Sequence, residues 1–264
     1  MQLKKPPVVE TWLSFDFHPN ESKRGSNLAK SLPTVQEYVR QYATELPKLE
    51  AIHEKQIQVQ ETSSTDLPKV VGQEVRLQSV RLTNEARSRV LGLGDDQLSY
   101  HVLKTEEGYP GYTTVRTEAQ KKLADYVRVF QPSGVKNATL HYLDIIDIPC
   151  PGGYAINLSD YFLMAIDLPE QPFGLTLSLL SQFQVLCPVD PGPLQFQLHR
   201  IPAPSEERIV RFRMEWHKLS TDVNTLEFAE IWRRLDVAHR YLTECFQASL
   251  TQRTIGLFDP VEEP

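Results

Sequence analysis

The chain has 264 residues, 41% of them hydrophobic and 23% charged, with a formal net charge of -6 at pH 7. That composition matches a folded globular protein and excludes a chain that is disordered throughout. The acidic balance speaks against a protein dedicated to nucleic acid or anionic lipid, because phosphate binding needs a positive field.

In chain order, Pro6 to Phe17 is rich in β-branched and aromatic residues and is read as a strand, ended by His18-Pro19-Asn20. Pro33 fits the first turn of a helix, and Val35, Tyr38, Val39 and Tyr42 follow at helical spacing up to about Pro47. Gln56 to Pro68 is polar and reads as a linker or mobile loop. Three strands are expected next, Val75 to Leu82, Arg87 to Leu93 and Gln97 to Leu103, joined as a meander. Gly108-Tyr109-Pro110-Gly111 breaks the chain. Val115, Ala119, Leu123, Tyr126, Val127 and Phe130 then trace a helix face that Pro132 and Gly134 stop.

A second series opens at Ala138 to Ile148. Its run Thr139 to Pro149 closes on Ile146-Asp147-Ile148-Pro149, much as Val8 to Pro19 closes on Phe15-Asp16-Phe17 and a proline. A short helix over Leu158 to Ala165 is followed by strands Leu175 to Cys187, Leu194 to Leu198 and Val210 to Trp216. In the last, Val210, Phe212, Met214 and Trp216 alternate with Arg211, Arg213, Glu215 and His217. The final helix starts after Asn224, with Glu227 as the partner in a capping box, and buries Phe228, Ile231, Leu235, Ala238 and Leu242. The expected fold is therefore α+β, in two pseudo-repeated halves, 1–132 and 133–264. Each is strand, helix, three-stranded antiparallel meander, helix, with sheets packed against helices, and a groove lies between the halves.

Three stretches carry a family resemblance: Pro6-Pro7-Val8-Val9-Glu10, the strand Leu140 to Pro149, and His239 to Phe246 followed by Leu250-Thr251. On these the chain resembles a sporadically distributed, functionally uncharacterised family of bacterial proteins. That family has an N-terminal PP-V-E strand, a central L-R-Y-x-N-x-I-x-I-P strand and a C-terminal H-x-x-I-x-x-x-F helix. His141 stands where the family pattern has arginine, and Asp144 where it has asparagine. The resemblance implies membership of a bacterial accessory system of the defence or toxin-antitoxin kind. It transfers no catalytic residue.

Chemistry-bearing motifs are sparse. The seven histidines show no HxH or HxxxH spacing, and Cys150, Cys187 and Cys245 form no CxxC pair, so neither a metal site nor a disulfide framework is indicated. Asp16 with Glu21-Ser22-Lys23 is too closely spaced for a nuclease centre. Asp144 and Asp147, three apart on a strand, point to opposite faces. Phosphate-cradling glycine loops, a GxSxG elbow and a Walker lysine are lacking. Two sets of binding candidates remain: Arg76, Arg81, Arg87 and Arg89 of the first meander, and Tyr109 and Tyr112 of the aromatic turn.

The expected function is a non-catalytic, protein-binding or regulatory component, with no cofactor and with a partner protein encoded nearby. A metal-dependent nuclease or phosphohydrolase is one alternative. A nucleic-acid-binding module using the Arg76–Arg89 meander is the other, and it is less favoured. No apolar stretch is long enough to span a bilayer and no signal-peptide core precedes Pro6, so a cytoplasmic protein without a membrane partner is expected. The sequence leaves homo-oligomerisation open.

Overall fold

A computed structural model describes residues 3, 5–19, 32–60, 69–150, 156–164, 180–188, 190–204 and 208–259; of 54–60 and 69–76 it describes the backbone alone. One antiparallel sheet of nine strands carries a layer of helices. The strands are β1 (Val8–His18), β2 (Lys48–Gln60), β3 (Lys69–Thr83), β4 (Arg89–Gly94), β5 (Gln97–Leu103), β6 (Gly134–Pro149), β7 (Leu180–Leu186), β8 (Pro193–Ile201) and β9 (Ile209–Ser220). Four helices accompany them: α1 (Leu32–Tyr42), α2 (Tyr112–Phe130), α3 (Phe228–Ser249) and α4 (Gln252–Gly256). Among the described residues no helix is long and apolar enough to cross a membrane.

The strand order is β2-β3-β4-β5-β1-β6-β9-β8-β7. The two runs that resemble each other in sequence are therefore neighbours at the centre, antiparallel, with Leu13 opposite Leu140 and Phe15 opposite Ala138. Moving outward from this pair, one side passes through β5, β4, β3 and β2 and the other through β9, β8 and β7.

Alternation decides which face is covered. Thr11, Leu13, Phe15 and Phe17 of β1, Leu140, Tyr142, Ile146 and Ile148 of β6, and Phe212, Met214 and Trp216 of β9 are all buried toward the helices. Each such large apolar side chain contributes roughly 1.5–3 kcal/mol on burial. From α2, Tyr126 stacks on Phe17 at 4.4 Å, and from α3, Trp232 meets Phe15 edge-on at 5.9 Å. Helix α1 lies on α2, where the Tyr38 hydroxyl donates to the Lys122 carbonyl at 2.9 Å. Beyond α3, Thr251 caps α4 and Phe162 packs edge-on against Phe212 at 5.1 Å.

The covered face of β9 also holds an ion pair. Lys218 is fully buried and donates to Asp190 at 2.8 Å and to the Leu219 carbonyl at 2.7 Å, while Ser220 donates to the same carboxylate at 2.7 Å. The β7–β8 turn that carries Asp190 closes through Gly192 (φ +113°). A Cβ there would lie 2.1 Å from the Leu219 carbonyl oxygen, so the close approach requires glycine.

Several expectations from the sequence are corrected. Lys48–Gln60 is a strand, so the polar stretch from Gln56 to Gln60 belongs to the sheet and not to a linker; 61–68 lies outside the described residues. The first meander thus has four strands, β2 to β5, instead of three, and the strands form one sheet. Only a 3-10 turn, Leu158–Asp160, occupies the start of the short helix expected over 158–165. Asn224 forms no capping box: it sits at φ +47°, its side chain bonds His18 Nε2 at 2.9 Å, and α3 begins one residue after Glu227, which gives no side-chain cap.

The assigned faces of β9 can be tested by stability. Phe212→Ala, at a fully buried position, is expected to cost about 3 to 5 kcal/mol. Arg213→Ala removes only a partly exposed pair with Glu215 and should cost less than about 1 kcal/mol. Urea denaturation of both variants measures the difference, and equal losses would contradict the burial pattern.

Candidate functional site

The aromatic turn between β5 and α2 is held by glycine geometry. Gly108 (φ +108°) and Gly111 (φ +85°) occupy a backbone region that other residues rarely adopt, and between them Tyr109 is turned onto the sheet. There the fully buried Thr11 hydroxyl donates to the Tyr109 oxygen at 2.8 Å. Tyr112, the first residue of α2, reaches the other way. Its hydroxyl donates to Asp236 of α3 at 3.0 Å and its ring stacks on His239 at 4.0 Å. His239 Nδ1 in turn lies 2.8 Å from the Tyr142 hydroxyl of β6. A chain of polar contacts therefore links β1, β6, α2 and α3.

Two residues beyond Tyr142 on the same face, Asp144 is 2% exposed. Burial alone pushes its carboxyl up to about 8, so the acid is neutral at pH 7. Burial also raises the phenols around it, Tyr109 to about 12 and Tyr142 and Tyr112 well above the ordinary tyrosine range, and it lowers His239. The cluster is consequently uncharged except at its rim, where Asp236 accepts from Arg116 Nε at 2.9 Å.

Two clefts lie near this cluster, the first beside the turn and the second between the helices. The first, about 500 Å³, is lined by Glu45, Arg89, Glu107, Tyr109 and Glu118 among others. Glu118 accepts from Arg89 Nε at 2.8 Å and from the Tyr100 hydroxyl at 2.7 Å. Behind it Lys122, buried beneath α2, donates to both oxygens of Glu45 at 2.7 and 2.8 Å and sits 4.1 Å from the Tyr42 ring centroid. Burial lowers its pKa, opposed by Glu45. The second cleft, about 610 Å³, is the groove between α2 and α3, lined by Arg116, Phe228, Trp232, Arg233, Asp236 and Arg240 among others. The Arg116 guanidinium lies 5.4 Å over the Trp232 ring, and Arg233 and Arg234 both bind Glu230, whose carboxyl they hold down at about 2.

Of the residues singled out in the sequence, Arg89 and Tyr109 share the first cleft, and Tyr112 anchors the wall of the second through Asp236. The remaining arginines do not join them. Arg81 is exposed on the sheet face away from the helices, Arg87 is exposed in the β3–β4 turn at φ +54°, and Arg76 is opposite Glu54 in the ladder with its side chain outside the described residues. The expected arginine surface is thus spread over two faces and a turn. Asp16 accepts from Gln97 and Asn137, as a structural acceptor does, and its supposed companions Glu21 and Lys23 lie outside the described residues. Arg116, Trp232 and Asp236 were not picked out in the sequence, and Tyr142, His239 and Arg240 figured only within the stretches that carry the family resemblance, not as site candidates. Their common signal is position on α2, α3 and β6, which only the fold brings together.

The face of the sheet away from the described helices carries a row of rings in register: His101, Trp12, His141 and His217 on β5, β1, β6 and β9. His141 and His217 stack at 4.8 Å, and His101 Nδ1 lies 2.8 Å from Glu10. Burial, with His141 adding to it, pushes His217 down to about 4. Among the described residues no group of three or more His, Cys, Asp or Glu side chains is placed to hold a metal ion.

No family model and no curated protein matches the chain. Among solved structures it is similar to the di-domain ARO/CYC BexL from the BE-7585A biosynthetic pathway, with 10% identity over 96% of this chain and 99% of that one and a TM-score of 0.22. A likeness at that level carries no argument about function.

Asp144 yields a pH test. Its folded-state pKa, about 8, exceeds the unfolded value of roughly 3.9, so the folded protein holds the proton more tightly. This contribution is fully present below about pH 4 and is lost as pH rises to about 8. Asp144→Asn should therefore gain on the native protein by up to about 1.4 kcal/mol per pH unit between pH 5 and 8. Urea midpoints at pH 5, 7 and 9 measure this, and parallel pH profiles for the two proteins would contradict it.

Proposed function

We propose that the protein is a non-catalytic binding component of a bacterial accessory system and that it holds a partner protein, encoded near it, in the groove between α2 and α3. The observation that carries this reading is the groove itself, about 610 Å³ with an aromatic wall at Trp232 and Phe228. One wall comes from each half of the chain. Aromatic and arginine side chains at a concave surface are the residues that most often anchor protein partners. The dispersal of Arg81, Arg87 and Arg89 weighs against a nucleic-acid surface on the first meander.

We further propose that residues 1–132 and 133–264 are pseudo-repeats related about the β1–β6 pair. The support is the strand order, in which the opening strand of each half pairs with that half's last strand and the others follow outward. Strand β2 is extra in the first half, so any common ancestor would correspond to β1, β3–β5 and α2.

Filling the groove tests the function without altering its charge. Gln120 is exposed on the groove wall, and Gln120→Trp should block it while leaving thermal stability unchanged. Candidate neighbours recovered by affinity capture from the native host would be co-expressed singly with the full chain. The expected outcome is one direct complex that Gln120→Trp abolishes. A complex indifferent to that substitution, or turnover of DNA, RNA or nucleotides by the purified protein with magnesium, manganese or zinc, would overturn the reading.

A further inference from the structure

Resting on that reading, we infer that the α2–α3 groove is an acidic-segment receptor: it takes carboxylate side chains of a partner polypeptide between Arg116, Arg240 and the first turn of α3. Three arginines and one aspartate line the groove, a positive local balance on a chain whose net charge is -6. Asp236 is already engaged by the Tyr112 hydroxyl and Arg116 Nε. The neighbouring Glu230 is engaged by Arg233 and Arg234. What remains open is cationic. Arg240 is exposed and has no ion pair among the described residues, and Arg116, lying over the Trp232 ring, donates to Asp236 through Nε.

The start of α3 adds a second attraction. Phe228 and Ala229, its first two residues, line the groove, and Glu227 places no side-chain cap on their N–H groups. The first-turn N–H groups of a 22-residue helix carry the positive end of its dipole and accept anions readily. A carboxylate in the groove meets these first-turn N–H groups and the guanidinium groups of Arg116 and Arg240.

Fluorescence anisotropy with three labelled probes tests this: a hexaglutamate peptide, a hexalysine peptide and a twelve-residue oligothymidylate. The expected result is binding of hexaglutamate alone, weakened by added salt and at least tenfold by Arg240→Glu. Arg87→Glu, in the distant β3–β4 turn, should leave it unchanged. Thermal melts of each variant confirm folding. Tighter binding of the oligonucleotide, or hexaglutamate binding that Arg240→Glu does not weaken, would overturn the inference. Absence of hexaglutamate binding, with a partner complex that Gln120→Trp still abolishes, would overturn the acidic specificity and leave the groove reading standing.

Discussion

Everything in the molecule hangs on the antiparallel pairing of β1 with β6. This ladder joins strands from the two ends of the chain's plan, and it makes one nine-stranded sheet out of what would otherwise be two smaller ones with edges exposed at the centre. Its register also decides which side chains meet. Thr11 falls opposite Tyr142, and a bulge between Val8 and Glu10 brings Val8 opposite Asp144. A slip of one residue would turn Leu13, Phe15, Leu140 and Tyr142 away from the helices and dismantle the core.

The helix layer follows from that pairing. Phe17 and Phe15 of β1 receive Tyr126 of α2 and Trp232 of α3, so both helices are seated against the same strand and the groove between them is set by the sheet. Between those apolar contacts the face is polar, with Thr11, Tyr109, Tyr142 and His239 largely satisfying one another. Asp144 is buried beside Tyr109 and Tyr142. A buried carboxyl raised in this way stays protonated, which avoids the much larger cost of burying a charge.

Legibility in the sequence followed burial. The alternation in β9 and the apolar run of β1 were readable because one face of each is packed, and most of the buried stripe of α3 was readable for the same reason. Trp232 escaped that reading: it lies at the edge of the stripe and is buried because α2 lies alongside, a fact of tertiary packing. Lys122, not singled out in the sequence, is buried because Glu45 and Tyr42 close over it. Strand β2 was missed because it is an edge strand specified by its ladder with β3, from Lys48 opposite Thr83 to Gln60 opposite Lys69, and its polar composition resembles a loop. Of the site, the glycine-flanked tyrosines were visible from composition. The α2–α3 groove was not, since its residues are separated by more than a hundred positions along the chain.

Native-state hydrogen exchange across β1 and β6 tests most directly whether their pairing unites the molecule. If it does, the amides of the β1–β6 ladder exchange only through global opening, with one shared free energy that extends into β5 on one side and β9 on the other. Slow exchange within β1–β5 and within β6–β9 at two distinct free energies, with fast exchange at the ladder between them, would show two units that merely touch and would contradict the account.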